Sequence, residues 1–530
     1  MTLHGRSLLA GKPGAPGGAT FQAINPATGA AIEPAFHEAS SKEAANALQA
    51  ATEAFAVYRA VPAETRAQLL DAIATEIEQL GDALLQRCHL ETGLPLARLT
   101  GERARTCGQL RLFAQVVREG SWIDARIDTA LPDRQPLPRP DLRRMLLPVG
   151  PVVVFGSSNF PFAFSVAGGD TASALAAGCP VVVKAHRSHP GTAELVGGAI
   201  VRAVAAVKLP AGVFSLVHGG GATIGVELVK HPATAAVGFT GSHTAGRALF
   251  DAAASRLHPI PVFAEMSSLN PVFLLPGAMA ERGPAIAQGL FQSFTLGVGQ
   301  FCTKPGLVFA LRGTEAEKFL EALSAAVKAA PCASMLSPGI ERAFKDNQGK
   351  VTAIGGVTVL ASAAAPSATK TAGQPSVAVT SAKTFLREPA LATEAFGPFT
   401  VVILGETSAE LEACARTLEG QLTATVHGNA ADFASVAPLL ALLEQKAGRL
   451  LLNGFPTGVE VSPAMNHGGP YPATSDVRFT SVGTAALLRF ARPVCYQNYP
   501  DALLPVALRN RNAPGSMRLV NGVLTRDDVK

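Results

Sequence analysis

Short apolar runs alternate with helix-like patterns over residues 151–260 of this 530-residue chain. Each run of four or five apolar residues is followed by a stretch in which apolar positions recur every three or four residues, as on one face of a helix. Strands separated by helices at this spacing usually pair in parallel through right-handed crossovers. The pattern therefore predicts a doubly wound α/β sheet, whose strands are Val152–Phe155, Val181–Lys184, Val213–Val217 and Ala235–Phe239.

The regions on either side of this pattern differ from it. Residues 40–120 repeat apolar positions at helical spacing, and Ser40 with Glu43 has the form of a helix-capping pair, so this region is predicted to be helical. Residues 120–150 and the C-terminal part are Pro-rich and extended, which is typical of an arm and a tail. A second α/β pattern follows the first and is interrupted by the stretch Ala361–Lys383, which we predict to be a surface loop.

These patterns predict an α/β protein with two packed domains joined by extended chain. A single hydrophobic core usually stops growing beyond roughly 250–300 residues, so a chain of this length is expected to divide. The predicted bounds are 1–127 with 148–261 for the first domain, 262–472 for the second, and 128–147 with 473–530 for the arm and the tail.

The composition narrows the class of protein. The residue types AVILMFWYC make up 48% of the chain and charged residues 16%, which excludes a disordered chain. The net charge is only +5, without basic runs interleaved with aromatics, so no nucleic-acid partner is expected. Asn159 and Pro161 interrupt the long apolar stretch 148–169, and the first twelve residues lack a secretory signal's apolar core. With seven scattered cysteines and no C-x-x-C pair, we expect a cytoplasmic protein with reduced thiols, no metal site and no membrane partner.

Four positions carry candidate chemistry. Cys302 follows a helical pattern and two glycines, and Glu265 ends an apolar strand, where partial burial is expected to raise its pKa and suit it to general-base work. Asn159 follows another buried strand and could donate to an oxyanion. The turn 239–246 closes a strand and opens a helix, where backbone N–H groups can meet a phosphate. Each feature alone also fits an ordinary structural role, such as a solvated Glu or a helix-capping Asn.

The order and spacing of these features resemble the aldehyde dehydrogenase superfamily over about residues 20–500. The resemblance implies a Rossmann-type cofactor domain, an α/β catalytic domain and an extended β oligomerisation arm. The motifs that carry it are Ile24–Gly29, Asn159, Lys184, Phe239–Ser242, Glu265, Gly299–Cys302 and Glu394–Pro398.

The resemblance implies a role for each matching residue. Cys302 is the expected nucleophile, Glu265 the base that activates water, and Asn159 a donor to the oxyanion. Lys184 is expected to bind the adenosine ribose and Glu394 the nicotinamide ribose. The remaining cofactor contacts implied are Gly241 and Ser242 at the pyrophosphate and Phe396 beside the nicotinamide ring.

One position bears on the choice between NAD and NADP. Many NAD-preferring relatives carry a glutamate three residues after the ribose-binding lysine, where a carboxylate accepts from the 2′-hydroxyl and repels a 2′-phosphate. Arg187 stands there in this chain, and residues 184–189 include no carboxylate. We therefore expect NADP to be used at least as well as NAD, through Arg187. The alternative is an Arg187 side chain that points to solvent.

Within the superfamily, the chain is most similar to the group that oxidises α-ketoglutarate semialdehyde (2,5-dioxovalerate), which implies a short, oxidised aldehyde. NADP-dependent fatty aldehyde dehydrogenases share part of the pattern and are the nearest alternative. A cysteine hydrolase or esterase that uses Cys302 and Glu265 without a cofactor, and a catalytically silent protein of this fold, are the others. The stretches that carry the similarity are 166–175, 265–271, 453–461, 467–476 and 492–497.

Two questions of specificity and assembly stay open at this level. Arg143, Arg144 and Arg478 are candidates to bind a substrate carboxylate, although surface or ion-pair roles are expected for them, and a solvated side chain is expected for Lys304. The family implies a homodimer or homotetramer, in which the arm joins a neighbour's sheet and the tail near 484–497 pairs with the arm.

Overall fold

The computed structural model describes residues 3–365 and 369–529. Its first sheet has five parallel strands at the centre and one edge, which are apolar and almost entirely buried, as expected for strands covered on both faces. The edge strand Val262–Glu265 pairs with this sheet, so the chain crosses to the second sheet only after Glu265. The order across the sheet is Val262–Glu265, Ala236–Thr240, Val152–Phe155, Val181–Lys184, Phe214–Val217, and then the antiparallel strands Leu8–Leu9 and Lys12–Pro13.

Helices cover both faces of the first sheet. The first begins with the predicted capping pair, in which the Ser40 side chain accepts from the Glu43 backbone and the Glu43 side chain accepts from the Ser40 backbone. The helical pattern predicted for residues 40–120 is confirmed. The helices of this region are Ser41–Tyr58, Ala63–Gln79, Gly81–Thr92, Leu96–Glu119, Gly169–Ala177, Pro190–Ala206, Val226–Lys230 and His243–Ala254.

The second sheet also has seven strands, six of them parallel. Their order is Thr358–Ser362, Ser376–Ser381, Phe399–Gly405, Leu307–Leu311, Val272–Leu274, Gln421–His427 and Ala447–Leu452, the first being antiparallel. The helices here are Pro276–Thr295, Thr314–Lys328, Pro338–Thr352, Ala382–Arg387, Ser408–Thr417, Ala430–Phe433 and Ala437–Glu444.

The prediction of a surface loop over Ala361–Lys383 is wrong for most of that stretch. Ser376–Ser381 is a largely buried parallel strand, and the helix Ala382–Arg387 follows it directly. This strand contains only two valines among Ser, Ala and Thr, so its apolar signal is weaker than that of the continuous apolar runs that mark a buried strand. Residues 366–368 of the predicted loop lie outside the described residues.

The predicted arm and tail form one five-stranded sheet. The tail strand Ala491–Gln497 pairs antiparallel with Leu142–Pro148 along seven residue pairs, which confirms the predicted pairing of tail and arm. The other strands are Arg126–Asp128, Arg518–Val520 and Val523–Thr525. The remaining described strands form two separate antiparallel pairs, which are Thr20–Ile24 with Ala31–His37 and Ala333–Ser334 with Ala372–Gly373.

The α/β fold class predicted from the sequence is therefore confirmed, with apolar cores on both faces of each large sheet. Among the described residues, no helix is both long and apolar enough to cross a membrane. Ligands of doubly wound sheets bind beyond the carboxyl ends of the parallel strands. Asn159, Lys184 and Glu265 all stand at or just beyond that edge of the first sheet.

Candidate active site

A cavity of about 750 Å³ opens at the carboxyl edge of the first sheet and extends to loops that adjoin the second sheet. Eight of the nine site residues predicted from the sequence line it. Five come from strand ends and turns of the first sheet, and Cys302, Glu394 and Phe396 come from loops that precede strands of the second sheet. The eight are Asn159, Lys184, Gly241, Ser242, Glu265, Cys302, Glu394 and Phe396.

The backbone before Cys302 has an unusual conformation. Gly297, Val298 and Gly299 all have φ near +60°, a region that L side chains rarely adopt. A Cβ on Gly299 would lie 2.2 Å from the carbonyl carbon of Gly397, so only glycine fits there. From the other side, Asn270 Nδ2 donates to the Cys302 carbonyl oxygen at 2.8 Å. The nucleophile loop is thus held by contacts that leave little freedom.

A series of contacting side chains extends from the Cys302 thiol. Its Sγ lies 3.5 Å from His467 Nε2, and the same nitrogen lies 2.8 Å from Glu265 Oε1. The Ser481 hydroxyl donates to the other Glu265 oxygen at 2.6 Å. Glu265, His467 and Ser481 are all buried. This arrangement provides a path for a proton from the thiol to a carboxylate.

The segment that carries His467 and Ser481 is docked onto the Glu265 strand by its backbone. Met266 N donates to Ala473 O at 2.8 Å, and Ser475 N donates to Ala264 O at 3.0 Å. The C-terminal region therefore extends the edge of the first sheet locally and carries the two side chains to the carboxylate.

The pKa values of the Cys302 thiol and the Glu265 carboxylate are shifted in opposite directions. Burial and the neighbouring Glu265 raise the pKa of Cys302 well above its ordinary value, so the resting form is the neutral thiol. Burial alone would raise the pKa of Glu265, but the charge and hydrogen bond of His467, with the Ser481 hydroxyl, lower it on balance. The sequence-based expectation of a raised pKa for Glu265 is wrong, because it considered burial without these partners.

Asn159 sits against the nucleophile loop. Its side-chain Nδ2 donates to the Gln300 carbonyl oxygen at 3.1 Å, and its own carbonyl accepts from Arg98 Nη2 at 2.6 Å. An amide NH2 has two N–H donors, so one remains for a ligand at Cys302. The Asn159 side chain is buried, which keeps its orientation fixed.

The residues of the first sheet that were predicted to bind the cofactor have properties that suit a dinucleotide. Burial, with Arg187 as a secondary cause, lowers the pKa of Lys184 to about 8. Ser242 caps the helix His243–Ala254, and the start of this helix lines the cavity. A Cβ on Gly241 would lie 2.7 Å from the Phe239 ring, so the turn requires a residue without a side chain. A buried cation beside a close backbone turn at a helix start fits the ribose and pyrophosphate of a nicotinamide dinucleotide.

Arg187 is the predicted site residue that the structure places elsewhere. Its guanidinium forms an ion pair with Glu38 at 2.9 Å and lies 4.4 Å from the centre of the Phe21 ring. About half of its side chain is exposed. Residues 184–189 contain no acid, but the fold supplies one from a distant part of the chain.

Lys304 is buried, so the expectation of a solvated side chain is wrong. Its Nζ donates to the carbonyl oxygens of Ala395 at 3.0 Å and Phe399 at 2.8 Å. Burial lowers the pKa of Lys304 to about 8, against the influence of Glu394. Burial raises the pKa of Glu394 in turn, although hydrogen bonds from Ser267 and Ser268 and the Lys304 charge oppose it.

The arginines considered for a substrate carboxylate lie away from the cavity. Arg143 contacts Asp141 and the Leu508 carbonyl within the arm sheet, Arg144 pairs with Asp124, and the largely exposed Arg478 pairs with Asp476. They have the ion-pair roles that the sequence analysis expected of them.

His467 and Ser481 are site residues that the sequence analysis missed. His467 belongs to a stretch noticed for its similarity to known enzymes, but a single histidine has no spacing pattern that would indicate its partners. Glu265, Cys302 and His467 could in principle hold a metal ion, since they place one ligand atom each within 4.8 Å of one another.

Comparison with known proteins agrees with this site. The model of the aldehyde dehydrogenase family matches residues 15–470, and the chain belongs to that family. It oxidises an aldehyde to a carboxylic acid with a nicotinamide cofactor.

Two curated relatives match the chain over nearly its full length. The alpha-ketoglutaric semialdehyde dehydrogenase 2 of Azospirillum brasilense is 52% identical over 98% of this chain and 99% of its own length. The alpha-ketoglutaric semialdehyde dehydrogenase of Acinetobacter baylyi is 47% identical over 99% of both.

Solved structures share the fold at lower identity. The 3,6-anhydro-L-galactose dehydrogenase in complex with NAP has a TM-score of 0.80 at 22% identity and covers 93% of this chain and 99% of its own. PnpE in complex with nicotinamide adenine dinucleotide has a TM-score of 0.77 at 23% identity and covers 96% of this chain and 100% of its own.

Proposed function

We propose that this enzyme oxidises α-ketoglutarate semialdehyde to α-ketoglutarate, with Cys302 as the nucleophile. The substrate is supported by the two full-length relatives named for it, at 52% and 47% identity. The observation that carries the chemistry is the chain from Cys302 Sγ through His467 to Glu265 in the wall of the cavity.

In the first step the Cys302 thiol adds to the aldehyde. The thiol proton passes to His467 Nε2 as Sγ bonds to the carbonyl carbon, which becomes tetrahedral. The free N–H of the Asn159 amide and the Cys302 backbone N–H stabilise the oxyanion. A single donor of this kind is typically worth about 3–4 kcal/mol in the transition state.

In the second step the acyl group is released. Lys184, Glu394 and the Gly241–Ser242 turn would hold the nicotinamide dinucleotide, which would supply the hydride acceptor. The acyl group is then a thioester on Cys302 Sγ. Glu265 takes a proton from water as the water oxygen attacks the thioester carbon, and Sγ leaves as the thiolate. The thiolate recovers its proton from His467, and Glu265 releases the water proton to solvent. The bonds from His467 and Ser481 keep Glu265 ionised, as this step requires.

Substitution of the two groups separates the steps. Cys302→Ala should reduce kcat by about 10³-fold or more because no covalent adduct forms. Glu265→Gln should still release a burst of reduced cofactor approaching one equivalent per active site, followed by slow turnover, since the base acts mainly in hydrolysis. Stopped-flow absorbance at the nicotinamide band measures both. Steady turnover by Cys302→Ala at the wild-type rate would refute the mechanism.

The fatty aldehyde alternative is tested with the substrate. The proposed function predicts a higher kcat/KM for α-ketoglutarate semialdehyde than for glutaraldehyde, hexanal or tetradecanal. A preference for tetradecanal would favour a fatty aldehyde dehydrogenase.

We also propose that NADP is used at least as well as NAD. Lys184 and Arg187 support this because both are cations near the adenosine side of the site, and residues 184–189 include no acid. The Glu38 carboxylate opposes it, since Arg187 must leave this ion pair before it can contact a 2′-phosphate.

The remaining proposals concern assembly and location. A homodimer or homotetramer is supported by the arm sheet, which is separate from the two large sheets and has a small apolar cluster of its own. A cytoplasmic location is supported by the cysteines, since all seven are free thiols, as in a reducing compartment.

A further inference from the structure

Arg105 lies on the helix Leu96–Glu119, on the side that packs against the segment after Asn159. Its guanidinium carbon lies 5.4 Å from the centre of the Phe164 ring. Phe164 lines the cavity that contains Cys302, and its ring centre is 6.3 Å from that of His467. One aromatic ring therefore separates the Arg105 cation from the side chain that contacts the nucleophile.

The guanidinium of Arg105 is incompletely partnered. Nη2 donates to the Val459 carbonyl oxygen at 3.4 Å, while Nη1 is buried and has no hydrogen-bond partner among residues 3–365 and 369–529. No carboxylate of those residues lies within 4.0 Å of it. By contrast, the little-exposed Arg87 pairs with Glu91 at 2.9 Å and the buried Arg489 pairs with Asp170 at 2.7 Å.

An unpaired N–H of a cation is costly to bury, because it loses its water without gaining a partner. Beyond its own helix, the carboxylates of Glu460 and Glu265 act on the Arg105 charge, and Glu265 belongs to the reacting centre. An anionic ligand would supply the missing hydrogen-bond acceptor, since the parallel N–H donors of a guanidinium match a carboxylate.

The surroundings of Arg105 suit a short chain between the two ends of such a ligand. Phe160, Phe164 and Phe301 lie between the helix and the nucleophile loop, with the Phe160 and Phe301 rings 5.1 Å apart. Apolar rings contact methylene groups well, whereas a longer alkyl chain would press its end against the charged guanidinium.

We infer that Arg105 binds the carboxylate of a short semialdehyde whose aldehyde carbon reacts at Cys302, and that it thereby selects acidic aldehydes over alkyl ones. The inference rests on the proposed function for the identity of the substrate, but the anion site can be tested without that substrate.

The kinetic test compares Arg105→Gln with Arg111→Gln. Arg111 lies on the same helix but pairs with Glu78 at the surface, so its loss is a matched control. Arg105→Gln should lower kcat/KM for α-ketoglutarate semialdehyde by about 10- to 100-fold, the range expected for a hydrogen-bonded charge. Its kcat/KM for uncharged pentanal should change less than about 3-fold, and Arg111→Gln should affect neither.

The binding test uses glutarate as the probe. In the wild type and in Arg111→Gln, glutarate should slow the alkylation of Cys302 by iodoacetamide, whereas in Arg105→Gln it should not. If the wild type prefers an alkyl aldehyde, the proposed substrate fails, yet the loss of glutarate protection would still support the anion site.

Two outcomes would overturn the inference. One is an equal loss for semialdehyde and pentanal in Arg105→Gln, which would indicate a purely structural residue. The other is glutarate protection that survives the substitution. If Arg105→Gln does not fold, Arg105→Lys provides the same comparison, with a smaller selective loss expected because lysine keeps the charge but not the paired donors.

Discussion

His467 decides how the nucleophile and the base share a proton. Its Nε2 lies between Cys302 Sγ and Glu265 Oε1, and it is fully buried, so solvent cannot take its place. A histidine in this position can receive the thiol proton and hold the carboxylate in its charged form. Cys302 and Glu265 act on each other's pKa, so their titrations are coupled. A pH profile of turnover therefore reports on both residues together.

Replacement of His467 should change the pH dependence of turnover. In His467→Gln the charge that lowers the pKa of Glu265 is gone, and burial then raises that pKa. Because Glu265 must be ionised to accept a proton from water, the acid limb of the kcat profile should move to higher pH. Steady-state kcat measured from pH 5 to 9 checks this. An unchanged acid limb would mean that His467 does not control the base.

The pair of Glu38 and Arg187 should set the choice between the two cofactors. Glu38→Gln frees the Arg187 guanidinium, so the ratio of NADP to NAD affinity should rise several-fold, whereas Arg187→Glu should lower it, as expected for charged hydrogen bonds of about 1.5–3 kcal/mol. Fluorescence titration with NADPH and NADH measures the affinities directly. Equal ratios in wild type and both variants would remove Arg187 from any role at the phosphate.

At the scale of elements, Lys304 joins two loops of the site. It follows the nucleophile by two positions and holds the carbonyl oxygens on either side of the Gly397–Pro398 turn, so the loop of Cys302 and the segment of Glu394 and Phe396 cannot move separately. Its carbonyl oxygen is held in turn by Asn270 Nδ2 at 3.0 Å.

Removal of the Lys304 ammonium should loosen the cofactor side of the site. Lys304→Met keeps the bulk of the side chain but removes two charged hydrogen bonds to buried carbonyl oxygens, at a cost of about 1.5–3 kcal/mol each. Tm should fall and the Kd for NADPH should rise, while Lys318→Met at the surface should change neither. Calorimetry and fluorescence titration provide the measurements, and wild-type values for Lys304→Met would contradict the role.

Elements with strong periodicity were predictable from the sequence. The strands Val152–Phe155 and Val181–Lys184 occur with the predicted bounds, because their β-branched runs suit only a buried strand. Ser376–Ser381 was not predicted, since its two valines lie among Ser, Ala and Thr and do not form a continuous apolar run. In the site, each predicted residue belonged to a local motif. His467, Ser481 and Glu38 act through contacts between distant parts of the chain, which local patterns do not encode.

At the scale of the molecule, the arm sheet has two edge strands, Ala491–Gln497 and Val523–Thr525. Large apolar side chains near them are exposed, among them Leu503, Val523 and Leu524. Exposed strand edges and apolar side chains are usually covered by a partner.

Light scattering should therefore give two or four times the 54.5 kDa mass of one chain at micromolar concentration. Leu524→Asp, which places a charge among the exposed apolar side chains, should shift the mass toward that of one chain. A wild-type mass of 54.5 kDa would contradict the proposed assembly.

The catalytic residues come from distant parts of the chain. Glu265 contacts His467 and Ser481, which lie 202 and 216 positions further along the sequence. A ribosome makes the chain from its N terminus, and domains fold as they emerge. The nucleophile therefore leaves the ribosome 165 positions before the histidine beside it. A nascent or prematurely terminated chain would contain the Cys302 thiol but not His467, which accepts its proton. Such a chain would therefore not form an aldehyde adduct that it cannot hydrolyse.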